Sequence, residues 1–77
     1  MKLEQYNHCV DTYSDGLFRF DLKNLKNTDD AKEIVQSSFE KLWIRRKDVD
    51  FERVKSYLFK TAYHGMVDMW RAAERTS

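Results

Sequence analysis

Proline is absent from this chain of 77 residues, and glycine occurs only twice. A sandwich, a barrel or any loop-rich scaffold needs more turn formers than that. The single cysteine, Cys9, excludes an intramolecular disulfide and a zinc site built on several thiolates. No apolar run approaches the roughly 18 residues that a membrane helix needs, so no membrane insertion is expected. Residues 1–15 lack the apolar core of a signal peptide, which leaves the cytoplasm as the expected compartment. Neither sign of charge dominates: 14 Lys and Arg face 13 Asp and Glu, for a net +1. That balance argues against a disordered acidic or basic tail. There is no Gly-rich phosphate loop and no Ser-His-Asp set that helical spacing would assemble, so no catalysis, cofactor or metal is expected. His8 and Cys9 are adjacent, and neighbours on a helix point about 100° apart, which makes a poor chelate.

What remains is one small domain, spanning 1–77, whose apolar residues (42%) suffice for a compact core. Two polar breaks divide it, NLKNTDD at Asn24–Asp30 and RRKDVD at Arg45–Asp50. Helices are expected over about residues 4–26, 28–46 and 53–73, with a loop at 47–52. In the first, Tyr6, Cys9, Val10, Tyr13, Leu17 and Phe20 recur at three- and four-residue steps. Gly16 lies inside this stretch and marks a position where a kink or break is affordable. In the second, Asn27 is the expected N-cap, with Asp29 and Asp30 in a first turn that favours anions. Ala31, Ile34, Val35, Ser38, Phe39 and Leu42 form its apolar face. In the third, Val54, Leu58, Ala62, Met66 and Met69 form the stripe, while Arg53, Lys60, His64 and Arg71 share another face. Three such stripes predict an all-α fold, a compact three- to four-helix bundle.

Charge is distributed unevenly. Residues 28–44 carry two basic against four acidic groups, whereas residues 45–77 carry eight against five. An acidic second helix suits a cationic partner, and a basic third segment suits a polyanion.

At Asp30–Trp43 the chain reads DAKEIVQSSFEKLW, at Tyr13–Phe20 YSDGLFRF, and at Tyr57–Arg71 YLFKTAYHGMVDMWR. In order and in register over roughly residues 6–72, these segments resemble region 2 of bacterial sigma factors of the extracytoplasmic-function type. The resemblance implies a helical bundle with two partners. One is the RNA polymerase core, held through the clamp helices of its beta-prime subunit. The other is promoter DNA, whose minus-ten element is recognised and opened by capturing an unpaired non-template base. An anti-sigma factor is a third kind of partner that the resemblance brings with it. A second helical domain, reading the minus-thirty-five element, is expected to be missing, so that the chain represents an excised domain or a truncated natural product, unable to direct full initiation.

The resemblance assigns the clamp surface to Glu33, Gln36 and Glu40, which share one helix face, with Trp43 continuing it; packing is an equal role for Trp43. The base-capturing loop corresponds to Lys47–Arg53, where Phe51 offers an aromatic wall or a hydrophobic anchor. Arg53, Lys60, His64 and Arg71 are expected on phosphates or base edges, and Tyr63 on an unpaired base. Tyr57 fits packing better than stacking. The chain also departs from the family: His64 stands where Asn is frequent, Gly65 lies mid-helix, Ser37 replaces a frequent acid, and Asp21 occupies a usually small apolar position. A buried Asp21 would require a partner such as Lys23, Lys26 or a residue on another helix. The competing reading is a helical protein-interaction module that binds no DNA.

Overall fold

The structure is a computed structural model describing residues 1–76. Helix α1 (Leu3–Leu25) and helix α2 (Thr28–Ile44) are joined by Lys26 and Asn27 alone. A connection this short makes the two helices antiparallel neighbours. Lys26 adopts the left-handed conformation, φ 56°, and its N–H donates to the Leu22 carbonyl at 2.8 Å, closing α1. Asn27 is extended, and its Oδ1 accepts from the Asp30 N–H at 2.9 Å, satisfying one orphan donor of α2. α1 runs through Gly16 as one continuous helix, without the break that a glycine there would permit.

α2 ends at Ile44, two residues short of its expected limit. Beyond it the backbone tightens, the Arg46 N–H donating to the Trp43 carbonyl at 3.3 Å, and the Arg46 side chain turns back over the helix end. The guanidinium lies 4.0 Å above the centre of the Trp43 ring, and Nη1 donates to the Trp43 carbonyl at 2.8 Å. The chain then turns through residues 45–49 and forms a short 3-10 turn, Phe51–Arg53. Helix α3 (Val54–Thr76) follows and extends three residues beyond its expected end. The segment Arg71–Ala73 and Glu74 contains good helix formers and no breaker, so nothing local stops it earlier.

The core is where the three predicted stripes meet. Cys9 and Leu17 of α1 pack with Ile34, Phe39 and Leu42 of α2, and with Val54, Leu58, Ala62 and Met66 of α3. Tyr6 closes one end: its hydroxyl donates to the Phe39 carbonyl at 3.1 Å, and its ring meets Trp43 edge-on at 4.9 Å. Phe20 and Phe59 join α1 to α3, with ring centres 5.2 Å apart. Such aromatic pairs add about 0.5–1.5 kcal/mol each beyond the area they bury. Gly65 faces α2 closely enough that a Cβ there would lie 2.9 Å from Ile34 Cδ1. The described residues contain no helix long and apolar enough to cross a membrane.

Asp21 is the anomaly of this core. It is fully buried, and neither carboxylate oxygen has a hydrogen-bond partner. The lysines expected to pair with it do not. Burial pushes its carboxyl up from 3.8 to about 7.

Candidate polymerase and nucleic-acid interfaces

Two surfaces answer to the residues singled out in the sequence. The first is the outer face of α2. Glu33, Gln36 and Glu40 are all exposed there, and Gln36 Nε2 lies 3.4 Å from Glu40 Oε1. Glu40 lies close enough to Tyr6 for its charge to help burial raise the tyrosine hydroxyl above its ordinary value. Trp43 is half-buried, its ring against Tyr6 and under the Arg46 guanidinium, so it packs at the helix end. Ile44 sits one turn beyond Glu40 and is 76% exposed. The sequence reading passed over it, although helical spacing from Glu40 and Glu33 already put it on this face.

The second surface runs along α3. Three adjoining cavities line up from the 45–53 connection toward the C-terminal end of the helix. The first, about 350 Å³, is walled by Val49 and Tyr57, with Asp48, Asp50, Arg53, Ser56 and Lys60 around its rim. The next, about 400 Å³, lies between α2 and α3, where Lys41, Ile44 and Arg45 face Tyr57, Thr61 and His64. The last, about 510 Å³, is lined by Tyr63, His64, Val67, Asp68 and Arg71. Tyr57 and His64 are therefore shared walls, and the three cavities adjoin in a row along α3, a track in that sense. Cations stand along its whole length, and carboxylates occur at both ends.

The predicted DNA residues fall into two groups. Arg53, Lys60, His64, Tyr63 and Arg71 all border the track. Lys47 is exposed on the connection but lines none of these cavities. Phe51 is 41% exposed and turns to α1, its ring 6.0 Å from that of His8. The aromatic wall of the cavity beside the connection is Tyr57, which also packs against the core. Lys41 and Arg45 were not anticipated, and Val49, inside the expected loop, was not singled out there. Their arrival at the track depends on how α2 and the connection pack on α3, which no local pattern in the sequence encodes.

Cys9 is buried, and burial raises its thiol above the ordinary value, so it behaves as a small apolar core residue. His8 is exposed, and its imidazole Nε2 lies 3.4 Å from the Thr12 hydroxyl. The described residues hold no cluster of three or more His, Cys, Asp or Glu able to bind a metal ion.

The bundle thus carries an acidic face on α2 and a cation-lined track along α3. Comparison with known families makes the class specific. The profile of the Sigma-70 region 2 family matches residues 9–76, and the chain belongs to that family. It is a sigma-factor domain, with a role in polymerase core binding and minus-ten promoter recognition. No curated protein and no solved structure matches it.

Proposed function

We propose that this domain is region 2 of a sigma factor of the extracytoplasmic-function type. It docks on the beta-prime clamp helices through Glu33, Gln36 and Glu40, and it opens the minus-ten element by capturing an unpaired non-template base. The observation that carries this reading is the cavity between the 45–53 connection and α3. At about 350 Å³ it sits at the low end of small-ligand sites, which run from about 300 to 1,000 Å³. Val49 and Tyr57 supply the apolar and aromatic walls that a flipped base needs. Asp48 and Asp50 are acceptors for an exocyclic amino group, and their charge disfavours a phosphate in the same place. Arg53 and Lys60, at the rim, are placed for the backbone on either side of the base. Phe51 then acts as a brace between the connection and α1 and as an exposed edge beside the entrance.

On α2 the carboxylates of Glu33 and Glu40 would meet basic groups of the clamp, with Ile44 as an apolar contact at the C-terminal end of the same face. An anti-sigma factor competing for polymerase would cover the same face.

The test is a titration of the full chain with a fluorescent minus-ten non-template strand against a scrambled strand of equal length. Tighter binding of the first is expected. Equal affinity for both strands would remove base capture from the proposal. Absence of binding to either, with retained capture of the clamp fragment, would establish the interaction module without DNA contact.

A further inference from the structure

Trp70 is 41% exposed, and Tyr63, seven residues earlier on α3, is 52% exposed. Seven residues are two helical turns, so the two rings lie on one face, about 10.5 Å apart along the axis at 1.5 Å per residue. Stacked nucleotides rise about 3.4 Å each, so this spacing corresponds to about three steps of a single strand. Tyr63 also lines the last cavity of the track, together with His64 and Arg71. We propose that Tyr63 and Trp70 form a stacking platform that carries the unpaired strand past the capture cavity, with Trp70 holding a base about three nucleotides from the one on Tyr63. The inference rests on the DNA-binding role proposed above and extends it to a residue which that role does not include.

The chemistry favours a nucleic acid as the occupant. An exposed indole beside a basic residue, Arg71, at the end of a cation-lined track offers a π-face to a base and charge to its phosphate. Asp68 also lines this last cavity and would repel a phosphate seated there. That repulsion leaves the phosphates to Lys60 and Arg71 and turns the bases toward the aromatic edge. Trp43, the other indole, is half-buried under Arg46 and unavailable for the same task.

The experiment uses the full chain and a dT strand of about twelve nucleotides, within the site sizes common for single-strand grooves. Stacking tolerates any base, so dT suffices as probe. Trp70→Ala should weaken binding by about 5- to 150-fold, the range set by losing one stacked base. The dependence of affinity on salt should stay as in the unmodified chain, because no phosphate contact is removed. Trp70→Phe should retain most of the affinity. Intrinsic fluorescence should fall when the strand is added to the unmodified chain and not when it is added to Trp70→Phe. Binding of Trp70→Ala within twofold of the unmodified chain, or equal quenching in Trp70→Phe, would overturn the platform. If His64→Ala still alters base preference in that case, the proposed DNA role stands and only the platform falls. If the unmodified chain binds no strand at all, both fall together. If Trp70→Ala loses the clamp fragment but not DNA, the ring belongs to a protein surface and the proposal is wrong.

Discussion

Asp21 should make this fold less stable as pH rises through neutrality, the reverse of the usual carboxylate effect. In the folded chain its carboxyl is buried without a partner and titrates near 7, against an ordinary value of 3.8. The folded state therefore binds this proton more tightly than the unfolded state. Below about pH 4 both states are protonated, and the full stabilising contribution is present. Between about 4 and 7 only the folded state keeps the proton, so stability falls with pH, and above about 7 the loss is complete. At about 1.4 kcal/mol per unit, a shift of roughly three units gives a swing on the order of 4 kcal/mol. Domains of this size are stable by about 4–12 kcal/mol in all, so the swing is a large part of the total. Asp21→Asn keeps the shape and removes the titration. Urea unfolding, followed by far-ultraviolet circular dichroism from about pH 4 to 8, should show the variant gaining on the parent steadily as pH rises. Taking the difference between the two cancels the titration of the surface acids. Asp21→Leu should gain more, because it also removes the unpaired polar atoms. Parent and Asp21→Asn curves that stay parallel across this range would refute the reasoning and require a partner for the carboxylate.

Charge reversal at Glu33 and Glu40, combined with Gln36→Ala, should lower capture of a beta-prime clamp fragment without changing the circular dichroism, since all three side chains are exposed. Lys60→Ala should weaken binding to every single strand alike and flatten the salt slope by about 0.7, as expected for one phosphate contact. His64→Ala should instead change the preference at one position, read from a set of singly substituted strands, because an imidazole is a directional donor and acceptor. Gly16→Ala should raise stability by about 1 kcal/mol, or about 4–8 °C in Tm, since its Cβ would meet nothing within 4 Å. Gly65→Val should lower stability by about 1–3 kcal/mol through overpacking against Ile34.

The bundle was legible because each stripe obeys one period and each stripe is wanted by the other two. The apolar faces read from Tyr6 to Phe20, Ala31 to Leu42 and Val54 to Met69 are the faces that meet in the core. Asn27 was legible as a cap because its preference is local. The end of α2 was not, since Arg45 and Arg46 suit a helix C-terminus, whereas the helix ends at Ile44 and Arg46 folds back onto Trp43. Asp21 could be placed on the core face, four residues after Leu17, but periodicity says nothing of what lies opposite, and the lysines nearest in sequence do not reach it. Phe51 faces His8, forty-three positions away in sequence, a contact set by tertiary packing alone.

The same distinction explains the cation track. Arg53, Lys60, His64 and Arg71 share a face by helical spacing and were found from it, yet a row of such side chains on a bare helix is not a groove. The opposite wall comes from Lys41, Ile44 and Arg45 of α2, and their distance from α3 depends on how closely the two helices pack. Gly65 bears on that distance. With no Cβ it accepts Ile34 of α2 where an alanine would already be at 2.9 Å from Cδ1. His64 is its neighbour in sequence and lines the cavity that the two helices enclose. The glycine and histidine that depart from the family pattern therefore act on one place: one admits α2 close to α3, and the other occupies the cavity formed there. A larger residue at 65 should alter DNA preference as well as stability, although the glycine itself lines no cavity.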